Sequence, residues 1–341
     1  MGAVCTDRDG KSGKYRRYHG HFPNNGHLAN KVTMSDLFDV DGPNLDGAFE
    51  NLKSAEFPVE RQLREMLQEM WSRFEPYADS DFRCGFARDV DGHFWEMYLG
   101  CSLLEAGRTL LPAVERQRAG GKPDLCVLED DRRIWIEAIT PHEGAPGPDQ
   151  IVWPVPINEG GGLVAAPIRQ AQLRTSSAFW TKVRKIRRYI EQGVIAPRDP
   201  RIIAISASRF GILVAEQPLP LIMTTLFPIG DAYVTMDRET GYIIDEGFRA
   251  SPLMQRERDP ISRAAFLDER FADISGVIWS RIGIGNLSRQ IRPMTYVHNP
   301  LAQIPLALNW GVWDREFVTT RRGDGWEVDD ILAGNRGQSA L

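Results

Sequence analysis

Residues 91–141 read DGHFWEMYLGCSLLEAGRTLLPAVERQRAGGKPDLCVLEDDRRIWIEAITP, and this stretch decides the fold of the chain. It opens with a very apolar segment, residues 94–106, followed by Gly107 at the position where a helix commonly ends. Three short apolar runs with the composition of strands come next, at residues 110–114, 125–128 and 134–139. A turn at residues 129–131 joins the last two runs, which predicts a hairpin. The stretch therefore predicts one helix followed by three strands.

Three carboxylates stand out in this stretch. Glu96 is the acid within the apolar helix, Asp124 begins the hairpin, and Glu137 lies deep in its second strand. Acidic side chains are rarely buried unless they pair with a cation or bind a metal. Each has an ordinary alternative. Asp124 would serve as a turn residue, Glu96 as an exposed helix acid, and Glu137 as the partner of Arg133 or Arg201 in a buried ion pair.

The rest of the chain continues the pattern of the opening stretch. Residues 57–77 and 168–192 have helical periodicity, the latter with a break near Ser176, and residues 201–206 form a compact β-branched run. Further short runs predict strands at residues 232–236, 242–245, 275–279, 294–298, 306–310 and 317–320. We therefore predict an α/β fold with a mixed central β-sheet flanked by helices. Its core has the order αβββαβ, and a β-rich C-terminal elaboration follows.

Composition and charge narrow the class of protein. The chain has 341 residues, 42% hydrophobic and 26% charged, which is typical of a globular protein. A net charge of −5 argues against a broad basic face, though not against a local one. No apolar run approaches the roughly 20 residues of a membrane span, and the first residues have no secretory signal. Four scattered cysteines without a CxxC pair indicate reduced thiols, so we expect a cytoplasmic protein without a membrane partner.

The helix at residues 168–192 carries two lysines at different distances from its apolar stripe. At about 100° per residue, Lys182 lies about 60° from the centre of the stripe and Lys185 about 120°. Lys182 therefore belongs at the edge of the buried face, whereas Lys185 points more toward water. Lys185 also forms a local basic surface with Arg184, Arg187 and Arg188, for which a solvated helix face is the ordinary interpretation.

The three acids suit divalent-metal phosphodiester hydrolysis. Mg²⁺ prefers oxygen ligands, which two carboxylates on neighbouring strands provide together with a backbone carbonyl. The ion lowers the pKa of a bound water and offsets charge that builds on the phosphate. A nearby lysine then stabilises the transition state.

The segments Gly121-Lys122-Pro123-Asp124 and Trp135-Ile136-Glu137-Ala138, with Glu96 upstream, resemble the restriction-endonuclease-like PD-(D/E)XK nuclease superfamily. The resemblance covers roughly residues 57–206. It implies that Asp124, Glu137 and the main-chain carbonyl of Ala138 bind Mg²⁺ or Mn²⁺, and that Glu96 supports the metal or its water. The implied function is a nuclease that hydrolyses phosphodiester bonds, with DNA as the expected partner. Many such enzymes act as homodimers because two cuts need two sites, but nothing in this sequence shows dimerisation.

One position departs from the motif of this superfamily. Its lysine belongs two residues after the strand acid, where this chain has Ile139. Some members supply the lysine from the following helix instead, where Lys182 is the first candidate and Lys185 the second. Lys122 is a third. On the same helix, Arg174 and Ser177 are candidates for phosphate contacts together with Lys185.

We expect the chain to consist of four segments. These are an N-terminal arm at residues 1–45, a nuclease-like core at 46–212, a β-rich elaboration at 213–330 and a tail at 331–341. Two other functions stay open. The absent motif lysine and the acidic net charge favour a catalytically inactive binding or regulatory module on the same fold. A metal-dependent hydrolase of a small phosphorylated molecule is the other, and it would show little loss of affinity with salt.

Overall fold

The computed structural model describes residues 3–4, 35–117, 121–152, 166–213, 219–287, 293–322 and 325–333. Most of the predicted N-terminal arm and most of the predicted tail lie outside these ranges. Two compact units divide the chain, the first formed by Met1–Glu75 and Ser80–Val90 and the second by Pro76–Asp79 and Asp91–Leu341.

The first unit is mainly helical. Strand β1 (Ala3–Val4) pairs in parallel with β2 (Val40–Asp41). Its helices are α1 (Gly47–Ser54), α2 (Pro58–Phe74) and α3 (Phe82–Arg88). The Asp46 carboxylate accepts a hydrogen bond from the Ala48 amide at 2.8 Å and so caps α1. Pro58 in the first turn of α2 has no amide hydrogen to leave unsatisfied, which suits a helix start. The predicted helix at residues 57–77 is thus confirmed as α2 and a 3₁₀ turn, Glu75–Tyr77.

The second unit contains the remaining helices and strands. The helices are α4 (Val90–Glu105), α5 (Ala113–Arg116), α6 (Ile168–Glu191) and α7 (Leu221–Leu226). The strands are β3 (Thr109–Leu110), β4 (Leu125–Glu129), β5 (Arg132–Ile139), β6 (Arg201–Ser206), β7 (Ile229–Met236), β8 (Ile243–Ala250), β9 (Leu253–Met254), β10 (Ile261–Ser262), β11 (Gly276–Ser280), β12 (Met294–His298), β13 (Arg315–Arg322) and β14 (Gly325–Asp330).

A mixed eight-stranded sheet organises this unit. Its spatial order is β14-β13-β12-β11-β6-β5-β4-β3. Strand β4 is antiparallel to both of its neighbours, β3 and β5, whereas β5, β6 and β11 are parallel. Beyond them, β12 is antiparallel to β11 and parallel to β13, which pairs antiparallel with β14. The hairpins β7–β8 and β9–β10 form separate two-stranded sheets.

Helices flank this sheet and fix its position by apolar packing. Phe179, Val183 and Ile186 of α6 join Ile203 and Ile205 of β6 in one buried cluster. Burial of aliphatic and aromatic side chains is worth about 1.5–3 kcal/mol each. The indole nitrogen of Trp95 in α4 donates to the Ala204 carbonyl at 3.1 Å.

The predicted α/β class with a mixed sheet flanked by helices is therefore confirmed. Most of the predicted elements of the sheet and its helices are present, and α6 runs without a break at Ser176. Two predicted strands are wrong. Residues 110–114 give only the end of β3, because Pro112 lacks an amide donor for the ladder and the chain turns into α5. Residues 306–310 form a loop in which Asn309 has a φ of 56°.

Two other expectations concern cysteines and membranes. Cys101 and Cys126 are buried free thiols, as predicted, whereas Cys84 is disulfide-bonded, so the prediction of reduced cysteines is wrong at that position. Among the helices that the structure describes, none has the length and apolar character needed to cross a membrane.

Candidate active site

The register of the β4–β5 hairpin brings two of the predicted acids together. Leu125 lies opposite Ile136. Continuing that register by one pair places Asp124, just before β4, beside Glu137 in β5. Paired residues of an antiparallel hairpin present their side chains on the same face. The Oδ2 atom of Asp124 accepts a hydrogen bond from the Ala138 amide at 2.8 Å, which holds the carboxylate at the open end of the hairpin.

Helix α6 adds two ammonium groups. Lys182 Nζ donates to Asp124 Oδ2 and to Glu137 Oε2, both at 2.8 Å. Lys185 Nζ lies 3.2 Å from Asp124 Oδ1 and 2.7 Å from Glu137 Oε2. We call Asp124, Glu137, Lys182 and Lys185 the acid–lysine cluster. Lys185 was expected to point more toward water, but it bends back and shares both carboxylates with Lys182.

The cluster is buried on one side and open on the other. The exposed fraction of the side chain is 1% for Glu137 and 10% for Lys182, but 18% for Asp124 and 25% for Lys185. Asp124 and Lys185 therefore form the side of the cluster that a solute reaches first.

The pKa values of the four groups follow from this burial and from their mutual charges. Burial opposes ionisation of Asp124, but the two ammonium groups and the hydrogen bond from the Ala138 amide outweigh it and hold its pKa below the usual range. Burial and the Asp124 charge raise the pKa of Glu137, and the lysines only partly offset this. Burial disfavours the charged form of Lys182 and Lys185, yet both pKa values are raised because two carboxylates face them. Asp124 and both lysines are therefore charged near neutral pH.

One oxygen of the cluster has no partner. Glu137 Oε1 is buried, and among the described residues it accepts no hydrogen bond. A buried polar atom without a partner costs about 1–3 kcal/mol. Such exceptions are rare in native structures and point to an ion or water, a store of strain or a catalytic role.

Glu96 lies beside the cluster and faces a buried arginine. Its Oε1 atom is 3.9 Å from Nη2 of Arg116, a fully buried guanidinium. Burial and the charge of Asp124 raise the pKa of Glu96 well above its usual value, against the attraction of Arg116. Arg116 Nε also donates to the Pro123 carbonyl at 2.9 Å, so this side chain braces the residue before Asp124. No periodicity or motif in the sequence points to Arg116, which lies two residues beyond the strand predicted at residues 110–114.

The structure separates the other predicted phosphate ligands from the cluster. Arg174 Nε donates to the His142 carbonyl at 3.0 Å, and Ser177 is exposed. Both line a cleft on the outer side of α6. Lys122, the third lysine candidate, donates its backbone amide to Tyr189 Oη at 3.2 Å.

The donor set of the site bears on metal binding. Within the described ranges, no group of three or more His, Cys, Asp or Glu side chains is arranged to hold a metal ion. The cluster offers the carboxylates of Asp124 and Glu137. The main-chain carbonyl of Ala138, the residue that follows Glu137, is the third candidate oxygen ligand. These are oxygen ligands of the kind that a hard cation prefers.

Comparisons with known proteins identify no relative of this chain. No protein-family model, no curated protein and no solved structure matches this chain. The functional interpretation therefore depends on the geometry of the acid–lysine cluster and of its surroundings.

Proposed function

We propose that this chain is a metal-dependent nuclease that hydrolyses phosphodiester bonds, with DNA as its substrate. The observation that carries the proposal is the Lys182 ammonium group, which donates at 2.8 Å to both Asp124 and Glu137. Burying charged groups together is expensive compared with an apolar core. Ionisable groups with strongly shifted pKa values are typical of functional sites.

The order of elements around the cluster supports a restriction-endonuclease-like core. The helix α4 carries Glu96, the strands β3, β4 and β5 follow with the short helix α5 between β3 and β4, and α6 and β6 complete the series. Apart from α5, this is the order αβββαβ. Asp124 and Glu137 occupy the positions of the motif acids. Ile139 stands where the motif has its lysine, and α6 supplies Lys182 instead.

The residues present suit a Mg²⁺ or Mn²⁺ ion. Asp124 and Glu137 would hold it with the carbonyl of Ala138, and the Oε1 atom of Glu137 is a carboxylate oxygen that no group among the described residues uses. When bound, such an ion lowers the pKa of a coordinated water and offsets negative charge on the phosphate.

The protein groups around that position have separate roles. Asp124, whose pKa is lowered, stays ionised near neutral pH. Lys182 keeps its proton and places a positive charge where negative charge develops on the phosphate in the transition state. Lys185, the more exposed ammonium, is the first that an incoming phosphate meets. Glu96, whose pKa is raised by burial and by the charge of Asp124, keeps its proton to a higher pH than an ordinary glutamate and acts as an auxiliary acid beside the site.

A second candidate is an inactive binding or regulatory module on the same fold. It is favoured by the ion pairing itself, because both carboxylates already have ammonium partners at 2.7–3.2 Å. In that case the acid–lysine cluster is a structural network, and the chain binds its ligand without a divalent cation.

The test combines metal binding with cleavage. We would measure Mn²⁺ binding by calorimetry and Mg²⁺-dependent cleavage of end-labelled DNA for the wild type, Asp124→Asn and Glu137→Gln. Both variants are expected to lose metal binding and at least about 100-fold in cleavage rate, because each removes a charged ligand. Asp199→Asn is the matched control, since Asp199 is also buried but binds the Trp135 indole instead.

Three outcomes separate the candidate functions. Cleavage that depends on metal, Asp124 and Glu137 supports the nuclease. DNA binding that needs no metal and leads to no cleavage identifies the inactive module and refutes the nuclease. Hydrolysis of a small phosphodiester such as bis(p-nitrophenyl) phosphate, with no cleavage of DNA or RNA and little salt dependence, assigns a small substrate instead.

A further inference from the structure

A cleft on the outer side of α6 is lined by residues that the proposed chemistry does not use. Its volume is about 570 Å³, within the roughly 300–1,000 Å³ typical of sites for small organic groups. One wall is α6 from Leu173 to Arg184, and the other includes Ile261 and Phe271. A cleft of this size is suited to one or two nucleotide units, whereas a double helix is too wide to enter it.

An indole forms the aromatic wall of this cleft. Trp180 is 37% exposed, and its ring meets the ring of Phe271 edge to face, with 4.6 Å between centroids and 78° between planes. This contact packs the indole against the Phe271 side of the cleft. A large aromatic ring that is held in place and still exposed offers a surface on which a nucleic-acid base stacks.

Guanidinium groups surround this indole. The cleft is lined by four arginines, Arg174, Arg184, Arg256 and Arg270, and by two acids, Asp149 and Asp268. Asp149 is paired with Arg169 at 2.6 Å, and Asp268 with Arg270 at 2.6 Å. Arg174 donates to a backbone carbonyl and Arg184 is exposed. Within the described residues, neither of these two guanidiniums has a carboxylate partner. The cleft is therefore locally positive in a chain whose net charge is −5.

We infer that this cleft binds an unpaired nucleotide of a single strand, with the base stacked on Trp180 and the adjoining phosphate on Arg184 and Arg174. Ser177, between Arg174 and Trp180 on the same helix, adds a hydroxyl to the phosphate side. The inference rests on the proposed function, since it assumes a polynucleotide substrate, and it adds that the chain takes that substrate unpaired. Stacking on an indole needs a free base face, which a base pair within a duplex does not present.

If a base stacks on Trp180, removing the indole should lower the affinity for a single strand without changing how that affinity depends on salt. We would measure binding of fluorescein-labelled dT12 by anisotropy in EDTA at several salt concentrations, so that no cleavage is involved. Trp180→Ala is expected to weaken binding about 10-fold or more with an unchanged salt slope, because stacking releases no counterions. Trp326→Ala is the matched control, since Trp326 is 38% exposed but lies in β14.

The phosphate part predicts the opposite signature. The plot of log K against log salt has a negative slope, and Arg184→Gln is expected to make it less steep by about 0.7, the value for one phosphate contact on a single strand. Arg321→Gln, an exposed arginine of β13, should leave both affinity and slope unchanged. Binding of a 12-base-pair duplex should not respond to Trp180→Ala.

The outcomes distinguish this inference from the proposed nuclease. If Trp180→Ala and Trp326→Ala bind dT12 equally well, or if Trp180→Ala weakens duplex and single strand alike, the cleft is not a site for an unpaired nucleotide. That result leaves metal-dependent cleavage by Asp124 and Glu137 untouched. Conversely, the protein could bind dT12 in a way that needs Trp180 and Arg184 and yet cleave no nucleic acid. That result would support the nucleotide site in the cleft and refute the nuclease. Equal sensitivity of free dTMP and dT12 to Trp180→Ala would show a mononucleotide site and overturn the strand assignment.

Discussion

Glu137 is the most buried member of the acid–lysine cluster, and its charge depends on its neighbours. Only 1% of its side chain is exposed. A carboxylate buried without a partner costs several kcal/mol, and removing one partner of a buried pair is strongly destabilising. Lys182 and Lys185 therefore do two things: they make an ionised Glu137 tolerable, and they occupy the approach to its carboxylate. A divalent cation would compete with these ammonium groups for the same oxygens.

This competition gives a prediction for Lys182→Met. Cleavage should fall about 100- to 1,000-fold, because a positive charge aimed at the phosphate is lost. Mn²⁺ binding measured by calorimetry should be kept or become tighter, because one competing ammonium is gone. Lys53→Met is the control, since Lys53 also pairs with a carboxylate, Asp41 at 2.6 Å, but in the first unit. Loss of metal binding together with cleavage in Lys182→Met would contradict this view.

Glu96 gives a pH-dependent prediction. Burial and the charge of Asp124 raise its pKa, so the folded state keeps a proton that the unfolded state releases above about pH 4.3. The folded state then binds more protons, and stability falls as pH rises through this window. The free energy of unfolding, measured with urea, should therefore decline less from pH 5 to pH 8 in Glu96→Gln than in the wild type. Glu327→Gln, at an exposed acid, should decline like the wild type. If the free energy of unfolding depends on pH in the same way in Glu96→Gln and in the wild type, the pKa of Glu96 is not raised in the folded state.

The sequence could predict Lys182 but not the full role of Lys185. A helical wheel gives the direction in which a side chain leaves the helix, and Lys182 leaves it at the edge of the buried face. Lys185 leaves toward water, but four methylenes let its ammonium return over the helix surface to Glu137 at 2.7 Å. Arg116 could not be found at all, because its contacts with Glu96 and the Pro123 carbonyl are made through tertiary structure.

At the scale of elements, the hairpin β4–β5 sets the geometry of the site through its turn. Glu129 pairs with Arg132, so the loop is only Asp130 and Asp131. A hairpin loop of fixed length fixes the register, and a slip of one residue would move Glu137 to the other face. The turn residues and the two apolar runs are all local features, which is why the sequence was sufficient to predict this hairpin. The strand predicted at residues 110–114 is wrong because the apolar run continues across Pro112, whereas the backbone hydrogen bonds of the sheet end before it.

The turn itself can be tested with a matched pair of variants. Asp130 has a φ of 48°, a left-handed conformation that glycine adopts without steric cost, whereas Asp131 is not in that region. Asp130→Gly should leave stability unchanged or raise it by up to about 1 kcal/mol, because the strain of a left-handed residue is relieved. Asp131→Gly should lower stability by about 0.5–1 kcal/mol through greater freedom of the unfolded chain. Denaturant unfolding of both variants gives the comparison, and equal destabilisation would count against this account of the turn.

At the scale of the whole molecule, the C-terminal strands belong to the same sheet as the site. β11 pairs in parallel with β6 over five positions, from Gly276 opposite Ile202 to Ser280 opposite Ser206. Every residue of β6 is buried. The sequence showed that β11–β13 exist, but no local signal says that β11 lies beside β6, because parallel pairing joins segments that are distant in the chain. The strand that supports α6 and the site thus depends on residues about 75 positions further along.

This pairing leads to a prediction for a chain cut at the predicted end of the nuclease-like core. A fragment of residues 1–212 keeps Asp124, Glu137 and Lys182 but loses β11, which leaves the backbone edge of the apolar strand β6 unpaired. Unpaired, apolar strand edges associate with one another. We therefore expect the fragment to aggregate and to show no cooperative thermal unfolding by circular dichroism, whereas a chain of residues 1–333, which keeps all eight strands, should unfold cooperatively. A monomeric 1–212 fragment with a sharp transition and intact metal binding would show that the site is built by the first part of the sheet alone and that β11–β14 serve some other purpose.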